Sequence, residues 1–132
     1  MKPEWLDRSM FNSPVWYSLC TTEAMFYKEM DRCGIKRQNA GNWISTPHSD
    51  ATAHQFTIPD SGRACCIVCI GTKAGRTGIQ VAGLLVHEAT HIWQQICQNI
   101  GEDEPSSEFE AYSIQWISQN LMWEYQRQTE NL

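Results

Sequence analysis

The sequence predicts an α+β domain in which a small antiparallel or mixed sheet packs on one long helix and a second, C-terminal helix. Three observations carry this reading. Arg63 to Ile70 (Arg-Ala-Cys-Cys-Ile-Val-Cys-Ile) is a short, continuous apolar run, the pattern of a strand buried on both faces. Val81, Leu85, Ile92, Ile96 and Ile100 recur at helical spacing and are followed by Gly101, a helix terminator. A third block, opened by Ser106 or Ser107, places Ile114, Ile117 and Leu121 on one face of another helix.

In chain order, residues 1 to 20 mix aromatics (Trp5, Phe11, Trp16, Tyr17) with the turn formers Asn12, Ser13 and Pro14, and read as a short helical turn and a loop packed on the body. Thr22 is an N-cap for a helix from Glu23 to about Cys33, ended by Gly34, with Met25, Phe26 and Met30 on its apolar face. Residues 34 to 61 carry turn formers throughout and read as loop with one or two short strands. Among them Thr52 to Ile58 alternates loosely. Asp60-Ser61-Gly62 is a turn short enough to make this segment and the Arg63 to Ile70 strand an antiparallel hairpin. Gly71 to Gly78 is a loop. It is not a phosphate-binding loop, because no Lys-Ser/Thr follows its second glycine. The central helix runs from about Ile79 to Asn99. Glu102-Asp103-Glu104-Pro105 is a solvated connection. The last helix, with Glu110 as a capping-box partner of Ser107, runs to about Arg127, and the tail from Gln128 to Leu132 frays. The tryptophans Trp93, Trp116 and Trp123, with Met122, read as core.

Bulk properties narrow the function. A chain of 132 residues reads as one domain over residues 1–132, long enough to bury a core without staples. A formal net charge of -5 argues against nucleic acid or an anionic membrane as partner. There is no apolar run long enough to span a membrane, and no secretory h-region, so a cytoplasmic location is expected. In that compartment the six cysteines read as buried, reduced thiols, although Cys66 and Cys69 have the C-x-x-C spacing of a redox pair.

One stretch carries chemistry. His87-Glu88-Ala89-Thr90-His91 fits H-E-x-x-H, which on a helix sets two imidazoles one turn apart on the same side, within reach of one metal ion. Leu84, His87, His91, Gln94 and Gln98 form a stripe beside the core stripe, so the imidazoles sit at the edge of a cleft rather than in the core. Glu88 can act as general base on zinc-bound water, and a catalytic zinc usually takes a third protein ligand.

With a downstream helix opening Glu108-Phe109-Glu110-Ala111-Tyr112, the chain resembles the zincin metallopeptidases, in particular the gluzincins. It also resembles small phage and prophage proteins with a metallopeptidase-like core, over residues 52 to 125. The resemblance implies a minimal zincin-like fold and a Zn2+-dependent hydrolase acting on a protein or peptide substrate, in the host cytoplasm if phage-encoded. It implies His87, His91 and a glutamate as metal ligands. Glu108 fits the family's spacing, with Ala111 third and Tyr112 fourth after it; Glu110 is the rival ligand. Tyr112 departs from the usual Asp or Asn, and is either bonded to a ligand or a proton donor, a role also open to His54. The family's pattern further implies that Arg63 to Ile70 rims the cleft and binds substrate as an added strand. The alternative is a zincin-fold protein that binds metal without turnover, in a phage structural or interaction role.

Overall fold

A computed structural model describes residues 1–10 and 12–130. Phe11 and the last two residues of the tail, both named above, lie outside the described residues. The elements are β1 (Val15–Cys20), α1 (Glu23–Arg32), α2 (Arg37–Ala40), β2 (Ala51–Thr57), β3 (Ala64–Ile70), α3 (Gly78–Ile100) and α4 (Ser107–Thr129). The class is α+β, as expected, with a mixed three-stranded sheet in the order β1-β3-β2. β2 and β3 form the expected antiparallel hairpin, with Ala51 opposite Ile70 and Thr57 opposite Ala64.

β1 corrects the reading of the first twenty residues as turn and loop. It pairs parallel to β3, from Val15 beside Ala64 to Cys20 beside Cys69. An N-terminal arm is hydrogen-bonded along it: the Leu6 amide donates to the Tyr17 carbonyl at 3.0 Å. The Ser18 hydroxyl donates to the Glu4 carbonyl at 2.7 Å, and the Tyr17 hydroxyl to the Asp7 carbonyl at 2.9 Å. The first bond satisfies a strand carbonyl that the outer edge leaves without a ladder partner, and the other two satisfy carbonyls of the arm.

The sheet is covered on both faces. Successive β3 side chains alternate, so Cys66, Val68 and Ile70 meet α3 and α4, while Ile67 and Cys69 meet α1. This explains why all of β3 from Cys65 to Ile70 is buried. It also removes the redox reading of Cys66 and Cys69, because residues three apart on a strand project from opposite faces. Burial pushes the Cys66 thiol up, away from a reactive thiolate.

Helix ends follow local chemistry. Thr22 caps α1 by accepting from the Met25 amide. Thr77 and Gln80 form a reciprocal capping box at the start of α3, and Gly101 closes that helix in the left-handed region at φ 71°. Ser106, not Ser107, caps α4, accepting from the Phe109 amide at 3.4 Å. The Glu110 carboxylate turns elsewhere.

The C-terminal end is anchored more firmly than its polar sequence suggests. Gln128 is buried; its amide donates to the Leu19 carbonyl at 2.6 Å and its Oε1 accepts from the Thr21 hydroxyl at 2.8 Å. Glu124, almost wholly buried as well, accepts from Arg127 and from the Glu4 amide. Helix α4 is thus tied to both β1 and the N-terminal arm.

Candidate metal centre

α3 holds the central stretch. Leu85, Ala89, Ile92, Trp93 and Ile96 are buried, which fixes the rotation of the helix and sets His87 and His91 at the edge of the packed face. The two imidazoles approach with Nε2 to Nε2 at 3.2 Å and ring centroids 4.9 Å apart, edge to face. His91 Nδ1 lies 3.2 Å from Gln94 Oε1. An amide oxygen only accepts, so Nδ1 is the donor in this pair, which leaves Nε2 as the nitrogen turned toward His87.

Zinc–imidazole bonds of about 2.0–2.1 Å in tetrahedral geometry separate two ligand nitrogens by about 3.3–3.4 Å. The observed 3.2 Å, also the length of a hydrogen bond between the rings, is close to that separation. The donor set, two imidazoles with one oriented by a side-chain amide, suits zinc.

Glu88 points inward from the same turn. It is 4% exposed, and among the described residues no hydrogen bond or ion pair reaches its carboxylate. Burial raises its pKa above the usual carboxylate range, and the neighbouring His91 and His87 partly oppose that rise. Glu88 and His87 line one wall of a cleft of about 760 Å³. Across it stand Asp50 and Ala51 at the start of β2, with Lys73 and Arg76 from the loop before α3. Arg76 latches that loop, donating to the Gly71 carbonyl at 2.9 Å and pairing with Asp50 at 3.4 Å. Asp50, Lys73 and Arg76 were not singled out from the sequence. Lys73 and Arg76 belong to the Gly71 to Gly78 loop, and Asp50 meets that loop only through the fold.

The other expected site residues stand apart. Glu110 accepts from the Trp93 indole N–H at 2.9 Å. Trp93 is two residues beyond His91, about 200° around the helix, so that bond directs Glu110 away from the imidazoles. Glu108 is exposed in the first turn of α4. Among the described residues no group of three or more His, Cys, Asp or Glu side chains is placed to hold one metal ion. The structure therefore brings together His87, Glu88 and His91, but not Glu108 or Glu110.

Tyr112 is 58% exposed on α4 and does not line the cleft. His54 sits on the α1 face of the sheet, stacked on Phe26 at 4.4 Å with Nε2 2.9 Å from the Trp43 carbonyl. Burial lowers its pKa, with the Trp43 bond opposing. Neither supplies a proton donor at the cleft. His48 is exposed on the loop before β2.

The expected substrate strand also changes. β3 is the central strand, bonded on both sides, and offers no free edge to an added peptide. β2 is one of the two edge strands, β1 being the other, and Ala51, the first residue of β2, lines the cleft.

Among the described residues no helix is long and apolar enough to cross a membrane. No family model, no curated protein and no solved structure matches the chain.

Proposed function

We propose that the chain is a zinc-dependent hydrolase of peptide bonds, with His87 and His91 as metal ligands and Glu88 as general base. The single observation that carries this is the 3.2 Å approach of the two Nε2 atoms beside a buried carboxylate, at the wall of an open cleft. Zinc, when bound, supplies Lewis acidity: it eases loss of a proton from water and polarises the scissile carbonyl. Glu88 takes that proton and returns it to the leaving amine. Its raised pKa moves it toward the neutral range in which proton transfer in both directions is efficient. The substrate is an extended segment of a protein or peptide lying along β2, whose open edge leads into the cleft.

A second reading has its own support. Catalytic zinc usually takes three protein ligands, and Glu108 and Glu110 lie away from the imidazole pair. This favours a protein that binds metal without turnover.

One variant separates the two readings. Glu88→Gln keeps both imidazoles and the side-chain volume. Under the hydrolase reading it retains zinc and loses cleavage of a denatured-protein or peptide-library substrate. A wild type that binds one equivalent of zinc and cleaves nothing leaves the binding reading in place.

A further inference from the structure

Gly83 is the sixth residue of α3 and stands well inside the helix. Only proline is less favoured in such a place, because glycine gives up the most backbone freedom on folding. Close packing explains many helical glycines, since a side chain there would collide. Gly83 has no such reason. It is exposed, and a Cβ built on it meets nothing within 4 Å, not even the ring of His87 one turn on. What the missing side chain leaves open is the cleft. Gly83 lines it together with Gln80, Leu84, His87 and Glu88, and Ala51 of β2 and Ala74 of the loop before α3 line it as well. The open aromatic surface of the molecule lies elsewhere. Trp123 and Trp116 were expected in the core; Trp123 is 58% exposed and Trp116 half-buried, and neither lines the cleft.

We propose that Gly83 is a specificity-determining residue: the bare turn of α3 that it leaves admits a large apolar substrate side chain, two residues from the scissile carbonyl. The proposal rests on the reading of His87 and Glu88 as the reacting centre. Four residues of helix rise about 6 Å, so Gly83 lies about 6 Å from His87 along α3. Two residues of an extended peptide rise about 6–7 Å, and their side chains turn to the same side. A peptide whose scissile carbonyl is held beside His87, with its main chain along the edge of β2, thus lays a side chain two positions away over Gly83. No side chain of the protein fills this part of the cleft, and Leu84 beside it is only half-buried. A small substrate residue leaves that space to water. A large apolar one removes the open flank of Leu84 and its own surface from water, which favours its binding. A methyl group at position 83 would narrow the space while touching nothing of the fold.

The test compares the intact protein with Gly83→Ala, Gly83→Leu and Gly78→Ala. The methyl of the last also meets no atom within 4 Å, but it lies outside the cleft. Gly83→Ala is expected to melt about 3–5 °C above wild type, because alanine favours the helix, with zinc affinity unchanged. On a random peptide library the zinc-loaded wild type prefers a large apolar residue two places from the cut. Gly83→Ala shifts that preference toward smaller residues and lowers kcat/KM on peptides with Phe or Leu at that place about tenfold, through KM. Gly83→Leu lowers it about a hundredfold, and Gly78→Ala leaves it as in wild type. A lower melt in Gly83→Ala overturns the proposal, because the fold then requires the glycine. An unchanged preference in Gly83→Leu overturns it too and leaves the hydrolase reading standing. If the zinc-loaded wild type cleaves nothing, the hydrolase reading fails by itself, and the comparison is made on retention of the same peptides by the zinc-loaded protein. Peptides retained by wild type and lost in Gly83→Leu then support the proposal; equal retention, or none, overturns it.

Discussion

His87→Ala tests the metal centre most directly, because His87 is exposed and its loss leaves the core untouched. The imidazole nitrogens stand 3.2 Å apart, against about 3.3–3.4 Å across a tetrahedral zinc, so binding needs little strain. Four-ligand structural zinc sites are worth about 10–16 kcal/mol, or about 3 kcal/mol per ligand. Removing one imidazole therefore weakens zinc about a hundredfold. At a zinc concentration one hundred times the wild-type Kd, the metal stabilises the fold by about 2.7 kcal/mol. For a chain of this size that raises the melting midpoint by about 10 °C. At the same zinc concentration, His87→Ala sits near its own Kd and gains only about 1–2 °C. The assay is a thermal melt with and without zinc, alongside competition against a chromophoric chelator. Glu108→Gln and Glu110→Gln serve as controls, each expected to stay within about threefold of wild-type affinity, since ligand loss costs far more. The reasoning fails if zinc leaves the wild-type melt unmoved or if His87→Ala binds as tightly as wild type. A tenfold loss in either glutamate variant would show that α4 closes on the metal in a way this geometry does not hold.

The remaining predictions concern the chemistry and the frame around it. Glu88→Gln lowers cleavage by about 10²–10⁴-fold, the usual worth of a positioned base, with zinc content by metal analysis unchanged. Glu124→Gln costs about 1–3 kcal/mol in urea unfolding at neutral pH, because charge-assisted bonds from Arg127 and the Glu4 amide are weakened. Burial alone raises the pKa of Glu124, but bonds from Arg127, Gln128 and the Glu4 amide outweigh it, and the folded-state value is lowered. Its contribution is therefore complete above the unfolded carboxylate range and lost as pH falls through the folded value. The gap between wild type and variant should close below about pH 4, and a constant gap down to pH 2 would contradict the assignment. Gly101→Ala places a side chain at φ 71° with no neighbouring atom within 4 Å, so strain alone acts. The melt should drop by about 3–5 °C, for about 1 kcal/mol.

The sequence made local features legible and hid those that depend on distant pairing. Thr22 and Gly101 act within a turn of their own position, and their helices end close to where these residues place them. β3 announced itself because six successive side chains are buried, leaving an unbroken apolar run. β1 did not. Asn12, Ser13 and Pro14 precede it, Ser18 interrupts it, and the strand it pairs with lies beyond two helices and β2. A parallel strand's partner cannot be read from its own residues. Gln128 looked like a fraying tail because polarity alone suggests exposure. Its amide instead bonds the Leu19 carbonyl of β1 and the hydroxyl of Thr21 just after it, more than a hundred residues earlier in the chain.

At the metal centre the same division decides what could be read. The pair His87 and His91 is one turn of one helix, so spacing sufficed. A third ligand from α4 depends on how two helices rotate against each other, which spacing does not encode. Here Trp93 takes the decisive part. Its ring is buried between α3 and α4, and its N–H binds Glu110 on the side of α3 turned away from the imidazoles. The residue that fixes α4 on α3 is thus the one that directs the carboxylate elsewhere. Trp93→Phe separates these effects: it keeps an apolar ring and deletes the donor, so the fold should lose only about 1 kcal/mol for the half-buried carboxylate left without that bond. If Glu110 is freed but excluded by helix phase, zinc affinity in this variant equals that of wild type. A gain in affinity that Glu110→Gln then abolishes would show that a single indole hydrogen bond, rather than the packing angle, keeps the third ligand out.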